Sequence, residues 1–508
     1  MTTSRTKKFM YNSLSTALYQ IVVMLVGFVT PRVILQFYGS ELNGLISSIN
    51  QFITYFSLIE AGIAGAATFS LYKPLAEEDH GAISAIVSAT RRFYNQSGLL
   101  FCGLVALMAA TYPFFVKTED LSVVGVMILV VVLGAKGFLE FFTLAKYRVI
   151  LTADQKTFVV SNASSVYILV QMIIIVVLAY LKVNIVVVYA VAILALCTRS
   201  IILALYVRRN YPYIDYYAKP NNKALDQRWD ALFLQVLGAA QTGAPVLIAT
   251  VFTSLTEVSI YSVFNMVFTG INGVLSIFVN GLSAGFGDVI ARKEKKTLQH
   301  SIKDFEFIYY ILITVVYTVT AVMLMPFIRL YTRGLEDAVL YNNQTLIAIL
   351  FVVNGLLYNL KTPQGMLVIS AGMFKETRYR SLAQALIIIV GGIILAPFFG
   401  LVGILIASCL SNLYRVIDLL YFVPRRITKL PIRLTLKRQL LSIVLCTVLS
   451  FGIHYIPFDQ QGFFYWIGQA IVVTIGVGII TVLINYLFDH DQLNYVMTRF
   501  KKLLKKRR

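Results

Sequence analysis

From residue 12 to residue 487 the chain is a succession of apolar runs near 20 residues long, separated by short charged breaks. A run of that length crosses the hydrocarbon core of a bilayer as one helix. Lipid offers no partner to a free N–H or C=O, so each run must satisfy its own backbone as a helix. The fold class that follows is an all-α polytopic membrane protein. Composition agrees: 13% of residues are charged and mean hydropathy is +0.77, where soluble domains carry about 25% charged residues.

Fourteen spans are read from the pattern, at 12–38, 42–70, 93–116, 121–146, 158–180, 183–207, 229–253, 258–286, 305–328, 343–371, 381–397, 400–423, 438–456 and 463–487. Three pairs are separated only by tight turns, at 39–41, 181–182 and 397–400. Of the 44 lysines and arginines, 35 fall in alternate breaks, four in the opposite ones and five within spans. This is the positive-inside distribution, and with an even number of spans it places both termini in the cytoplasm. The net charge of +20 is therefore read as membrane topology and not as a nucleic-acid surface. In the 73–92 break, Ile83, Ile86, Val87 and Thr90 recur at near-helical spacing, which reads as a short amphipathic piece on the inner surface.

The stretch 30–72 has an echo at 244–288. Pro31 corresponds to Pro245, Glu41 to Glu257 and Gly65 to Gly281, at intervals of 214 to 216 residues, and Arg199 to Arg415 repeats the interval of 216. A duplication follows: an N-terminal six-helix bundle at 1–210, a C-terminal six-helix bundle at 211–430, and an additional helix pair with a basic cytoplasmic tail at 431–508. The longer polar break at 208–228 separates the two copies.

Charged groups inside spans are costly and face a bundle interior or a wet cavity. The basic ones are Arg32, Lys136, Arg199, Lys361 and Arg415, and the acids are Glu60, Glu140 and Asp418. Glu140 follows Lys136 by four residues and Asp418 follows Arg415 by three, so each pair shares a helix face; local charge compensation is the plain reading of both. Lys361 has no acid within four residues. Keeping its charge calls for water, a distant partner or an anionic ligand. Pro31, Pro245 and Pro363 interrupt spans and are candidate hinges, although proline is common in membrane helices. Amides recur in the spans, among them Gln51, Asn265, Asn280 and Asn354. Singly each reads as an interhelical hydrogen bond, and together they describe a polar interior.

Enzyme chemistry has no visible seat. The four histidines are dispersed, and Cys102, Cys197, Cys409 and Cys446 lack metal-ligand spacing. A Gly-x-x-x-x-Gly-Lys-Ser/Thr phosphate loop is absent.

The early stretch TPRVILQFYGSELNGLISSINQFITYFSLIEAGI, the two six-span halves and the extra terminal pair resemble the oligosaccharide flippase branch of the multidrug/oligosaccharidyl-lipid/polysaccharide exporter superfamily. The resemblance covers about residues 10–490. It implies movement of a polyprenyl-diphosphate-linked glycan from the cytoplasmic to the outer leaflet of the bacterial inner membrane, by alternating access. Arg32, Lys136 and Lys361, with Gln51, Asn265 and Asn354, are then the expected substrate-binding residues in a common wet chamber. Glu60 and Glu140 are candidates for H+ or Na+ coupling, with no other cofactor. Membrane lipids, and a glycan polymerase or glycosyltransferases, are the implied partners. The alternative is a cation-coupled multidrug or metabolite exporter of the same fold.

Overall fold

A computed structural model describes residues 5–222, 228–454 and 462–495. The basic tail after 495 lies outside the residues so described, as does the side chain of Asn280. In chain order the helices are α1 (Arg5–Glu77), α2 (His80–Phe115), α3 (Val123–Leu139), a π-helical turn (Glu140–Leu144), α4 (Ala145–Ala153), α5 (Thr157–Tyr180), α6 (Ile185–Ala192) and α7 (Ala195–Asn210). They continue with α8 (Arg228–Phe252), α9 (Leu255–Ala291), α10 (Lys295–Tyr331), α11 (Ala338–Asn342), α12 (Thr345–Leu360) and α13 (Thr362–Ser370). The last are α14 (Phe374–Val423), a second π-helical turn (Pro424–Thr428), α15 (Ile432–His454) and α16 (Phe463–Phe488).

Among the described residues, 12 helices are long and apolar enough to cross a membrane. Two of them are too long to cross only once. The 73 residues of α1 would extend about 110 Å if straight, against a hydrocarbon core of about 30 Å. The helix is broken at Gly39, where φ is 78° and ψ 176°; only glycine adopts such a conformation without strain. The second break is at Gly400 in α14 (φ 56°, ψ −135°). There the legs run back along each other: a Cβ on Gly403 would lie 2.5 Å from the Leu395 carbonyl oxygen, and one on Gly391 3.2 Å from Ala407 Cβ. Counting each leg separately turns the 12 helices into the fourteen spans of the sequence pattern, with turns where 39–41 and 397–400 were read.

The chain packs as two compact units, Met1–Gly273 and Val274–Arg508. This packing boundary lies inside α9.

In the first unit, the first leg of α1 runs parallel to α5, in a register held near 145 positions. Thr16 lies 3.5 Å from Ser161, and Tyr38 donates to the Val183 carbonyl at 2.6 Å. The second leg runs antiparallel to α2, with Tyr112 donating to Ser48 at 2.7 Å and Glu41 accepting from the Glu119 N–H at 3.0 Å. These contacts sort the loops onto two faces. Gly39, 117–122 and 181–184 share one; 78–79, 154–156 and 211–222 share the other, joined by Asn12 donating to Gln155 O, Tyr211 donating to Asp154 and His80 stacking on Tyr213. Helix α2 begins at His80 and so absorbs the piece read as a surface helix. Ile83, Ile86, Val87 and Thr90 are all buried: the three apolar ones join the core of the first unit, while the 211–222 segment bonds the neighbouring Ser84, Ala85 and Ser88. Apolar side chains such as Leu99, Leu107 and Phe114 remain outward-facing, as expected of a surface solvated by lipid.

In the second unit, α10 is the central post, packed by α12, α15 and α16. Trp466 of α16 donates to the Met323 carbonyl at 3.2 Å, while Phe464, Val472 and Leu487 face outward.

Candidate functional site

The tenth span is interrupted where its sequence forecasts. Helix α12 ends at Leu360, Lys361 caps it, and α13 begins at Thr362 with Pro363 in its first turn. Proline supplies no N–H to the preceding turn. The Leu360 carbonyl, at the break, accepts from the Tyr310 hydroxyl and the Gln439 amide, each at 3.2 Å. Helical bonding resumes when Gly365 donates to the Lys361 carbonyl at 2.9 Å.

Lys361 itself is 8% exposed. Its ammonium donates to Asn412 Oδ1 at 2.7 Å and stands 4.7 Å from the centroid of the Tyr358 ring. Asn412 in turn donates to Asn354 at 2.8 Å, and Gln384 approaches the same Asn412 oxygen at 3.4 Å. Among the described residues no carboxylate pairs with Lys361. Arg415 acts on it as a like charge, and the acid nearby, Asp418, is taken by Arg415 at 2.7 Å and by Arg380. A buried cation held by neutral amides and an aromatic face keeps donor capacity for an anion. The structure thus brings together two of the sequence candidates, Lys361 and Asn354, through Asn412.

The other side of the break carries a network that sequence reasoning missed. Glu306 of α10 is 3% exposed. It accepts from Gln364 at 2.9 Å and from Thr435 at 3.0 Å, and lies 3.9 Å from Arg438. Arg438 also holds Asp489 at 2.8 Å and the Lys303 carbonyl at 2.8 Å. Gln364 and Gln439 both bond Tyr310. Two carboxylates therefore share one guanidinium, beside the broken helix. The available signal was an acid within an otherwise aromatic run, DFEFIYY, at the edge of a span.

In the first unit, Glu60 is paired with Arg148 and Glu140 with Arg199 at 2.9 Å. Among the described residues Lys136 and Glu140 form no direct ion pair, although Glu140 still acts on Lys136 through its charge. The spacing from Lys136 to Glu140 is still α-helical, the Glu140 N–H bonding the Lys136 carbonyl, but the carboxylate is drawn to Arg199 of α7. Lys136 is open to solvent yet deep among the helices of its unit, hydrogen-bonded to Tyr167, with its ammonium 5.8 Å from the Tyr167 ring centroid. Arg32 is half-buried on the first leg of α1, and Asn265 is half-buried on α9. Gln51 fills the space over Gly243 of α8, its Nε2 2.2 Å from where a Cβ would be. Pro31 and Pro245 lie inside continuous helix; the non-helical residue of α1 is Gly39. Among the described residues no cluster of three or more His, Cys, Asp or Glu could hold a metal ion.

No family model matches this chain, and no curated protein matches it by sequence. Solved structures do. The lipid II flippase MurJ in an inward closed conformation aligns over 93% of this chain and 98% of its own, at 16% identity and a TM-score of 0.71. An inward-facing multidrug resistance MATE family transporter of the MOP superfamily aligns over 86% and 99%, at 13% identity and a TM-score of 0.64. A MOP superfamily transporter from Pyrococcus furiosus, described by the reversed polarity of its binding pocket, aligns over 87% and 96%, at 12% identity and a TM-score of 0.61. At these identities the likeness establishes the fold: the chain is folded as the transporters of the MOP superfamily are.

Proposed function

We propose that the protein is an alternating-access flippase of the bacterial inner membrane that moves a polyprenyl-diphosphate-linked oligosaccharide to the outer leaflet. The observation that carries the reading is Lys361: a cation buried within a broken span and bonded to amides, not to a carboxylate. A diphosphate leaving water needs charge-assisted donors to offset its desolvation. Asn354 and Asn412 offer hydrogen bonds of the kind that sugar hydroxyls accept and donate. Lys136 and Arg32 are further cations for the head group, with Gln51 and Asn265 as further polar contacts. Glu60 and Glu140, both tied to arginines, are the proposed coupling acids for H+ or Na+, and Pro31, Pro245 and Pro363 the proposed hinges. On this reading both termini are cytoplasmic, as the charge distribution of the sequence suggests, and the proposed partners are a glycan polymerase or glycosyltransferases.

The test is a leaflet-protection assay in proteoliposomes with a labelled polyprenyl-diphosphate glycan. Lys361→Gln, and the Lys136→Gln/Lys361→Gln pair, should lower translocation at equal insertion, while Lys295→Gln at the basic start of α10 should not. Equal rates for all four proteins would remove the site assignment. The MATE-like fold supports the second reading, a cation-coupled exporter. Export of organic cations driven by a proton or sodium gradient, with no glycan-lipid movement, would favour it.

A further inference from the structure

The polar break after α7 reads as a linker, yet the structure pins it across α2. Ser88 donates to the Ala218 carbonyl at 2.7 Å, the Asp215 N–H reaches Ser84 at 3.1 Å, and the Asn221 N–H reaches the Ala85 carbonyl at 3.1 Å. The segment's tyrosines thereby meet basic side chains from three helices. Arg91 of α2 donates to the Tyr216 carbonyl and the Tyr217 hydroxyl, both at 3.3 Å, with its guanidinium 4.2 Å from the Tyr217 ring centroid. Lys146 of α4 stands 5.0 Å from the Tyr147 ring centroid and 5.5 Å from that of Tyr216. Arg208 of α7 acts on both Lys146 and Tyr216 through its charge.

Among the described residues, none of these three cations forms an ion pair. The neighbouring acids are engaged elsewhere: Asp215 accepts from the Tyr217 N–H at 2.8 Å, and Asp154 holds Lys156 at 2.9 Å and Tyr211 at 2.6 Å. Three like charges held together on folded elements repel one another unless an anion joins them. The cluster lies on the loop face shared by 78–79 and 154–156. At a membrane surface the abundant fixed anion is a lipid phosphate, and basic pockets between membrane helices bind such head groups. Tyrosines at the same level suit the interfacial zone. We infer that Arg91, Lys146 and Arg208, framed by Tyr147, Tyr216 and Tyr217, form a binding site for a phosphate or diphosphate group carried by a membrane lipid, separate from Lys361.

The experiment is native mass spectrometry of the full chain in detergent, titrated with farnesyl diphosphate, dioctanoyl phosphatidylglycerol or dioctanoyl phosphatidylcholine. Retention of at least one anionic probe above the neutral lipid is expected. Arg208→Gln, an exposed change that leaves packing intact, should weaken it about fivefold, and Lys146→Gln/Arg208→Gln about 25-fold. Lys117→Gln on the opposite loop face should leave it unchanged. Preference for the diphosphate would mark an approach site for a prenyl-linked head group; equal or greater retention of phosphatidylglycerol would mark a resident phospholipid. Lys361→Gln should retain the phosphatidylglycerol adduct, so this site and the transport site can fail separately. Equal retention of charged and neutral probes, or of any anionic probe by wild type and the Arg208→Gln variant at matched thermal midpoints, overturns the inference.

Discussion

Asn43 donates its side-chain amide to the hydroxyl of Ser259 at 2.7 Å, across 216 positions of sequence. The same interval relates Glu41 to Glu257 in the internal echo. Equivalent positions of two copies touch each other only beside the local axis that relates them, so this buried bond fits a duplicated chain. The second leg of α1 and the start of α9 approach closely here. A Cβ on Gly44 would lie 1.8 Å from the Leu255 carbonyl oxygen.

That approach sets the first expectation. Gly44→Ala must push a backbone carbonyl aside, at a cost of about 1–3 kcal/mol or more. Asn43→Ala, which leaves the Ser259 and Ser262 hydroxyls without their donor, should cost about 1–3 kcal/mol. Gly27→Ala, where nothing lies within 4 Å of the added carbon, should be neutral or slightly stabilising. Thermal midpoints in one detergent compare the three. Equal midpoints for the Gly44 and Gly27 variants would refute the close approach.

The elements that the sequence made legible are those set by local chemistry. The turns at Gly39 and Gly400 follow from apolar runs too long to cross once and from glycines at the reversals. The break at Lys361 follows from a charge and a proline in one span. Partners were not legible. Glu60 meets Arg148 across 88 positions, and Glu140 meets Arg199 across 59, because tertiary packing and not local spacing selects the partner. Glu306 escaped notice because a carboxylate at a span boundary looks like any interfacial acid; only the packing of α13 and α15 around it makes it buried.

The shared guanidinium of that cluster gives the second expectation. Arg438→Met leaves the buried Glu306 without the cation beside it and Asp489 without its bond to the guanidinium, and removing one partner of a buried set typically costs about 3–5 kcal/mol. Glu306→Gln keeps an acceptor for Thr435 and leaves Arg438 its bonds to Asp489 and Lys303, so its cost should be smaller. The Arg438→Met/Glu306→Gln pair should be more stable than Arg438→Met alone. Denaturation of the four proteins in one detergent decides the matter, and simple additivity would show that the groups are not coupled.

A third expectation concerns alkaline pH. Burial raises the Tyr216 hydroxyl from its ordinary value near 10 to about 12, against an opposing pull from Arg208. With the folded value above the unfolded one, the phenol's contribution is fully present below pH 10. The unfolded chain then loses its proton first, so stability falls as pH rises from about 10 to 12. Tyr216→Phe has no such proton to lose. The difference in thermal midpoint between wild type and Tyr216→Phe should therefore be constant from pH 7 to 9 and shift against wild type between pH 10 and 12. A constant difference over the whole range would mean that Tyr216 titrates as it does in the unfolded chain.

The sharpest test of Lys361 separates binding from scaffold. A cation kept in a buried place for a ligand is a cost to the empty protein, because its desolvation is only partly offset by Asn412 and the Tyr358 face. Lys361→Met should therefore match or exceed wild type in thermal midpoint while lowering translocation at least tenfold, a loss of about 1.4 kcal/mol or more in transition-state stabilisation. Asn412→Leu removes the acceptor at 2.7 Å and leaves the ammonium buried without it, which should destabilise by about 1–3 kcal/mol. The Lys361→Met/Asn412→Leu pair should recover most of that loss, since both polar partners are gone. If Lys361→Met instead destabilises as strongly as Asn412→Leu, and translocation falls only in step with folded protein, then Lys361 serves the packing of α12 and α14 and the diphosphate reading loses its anchor.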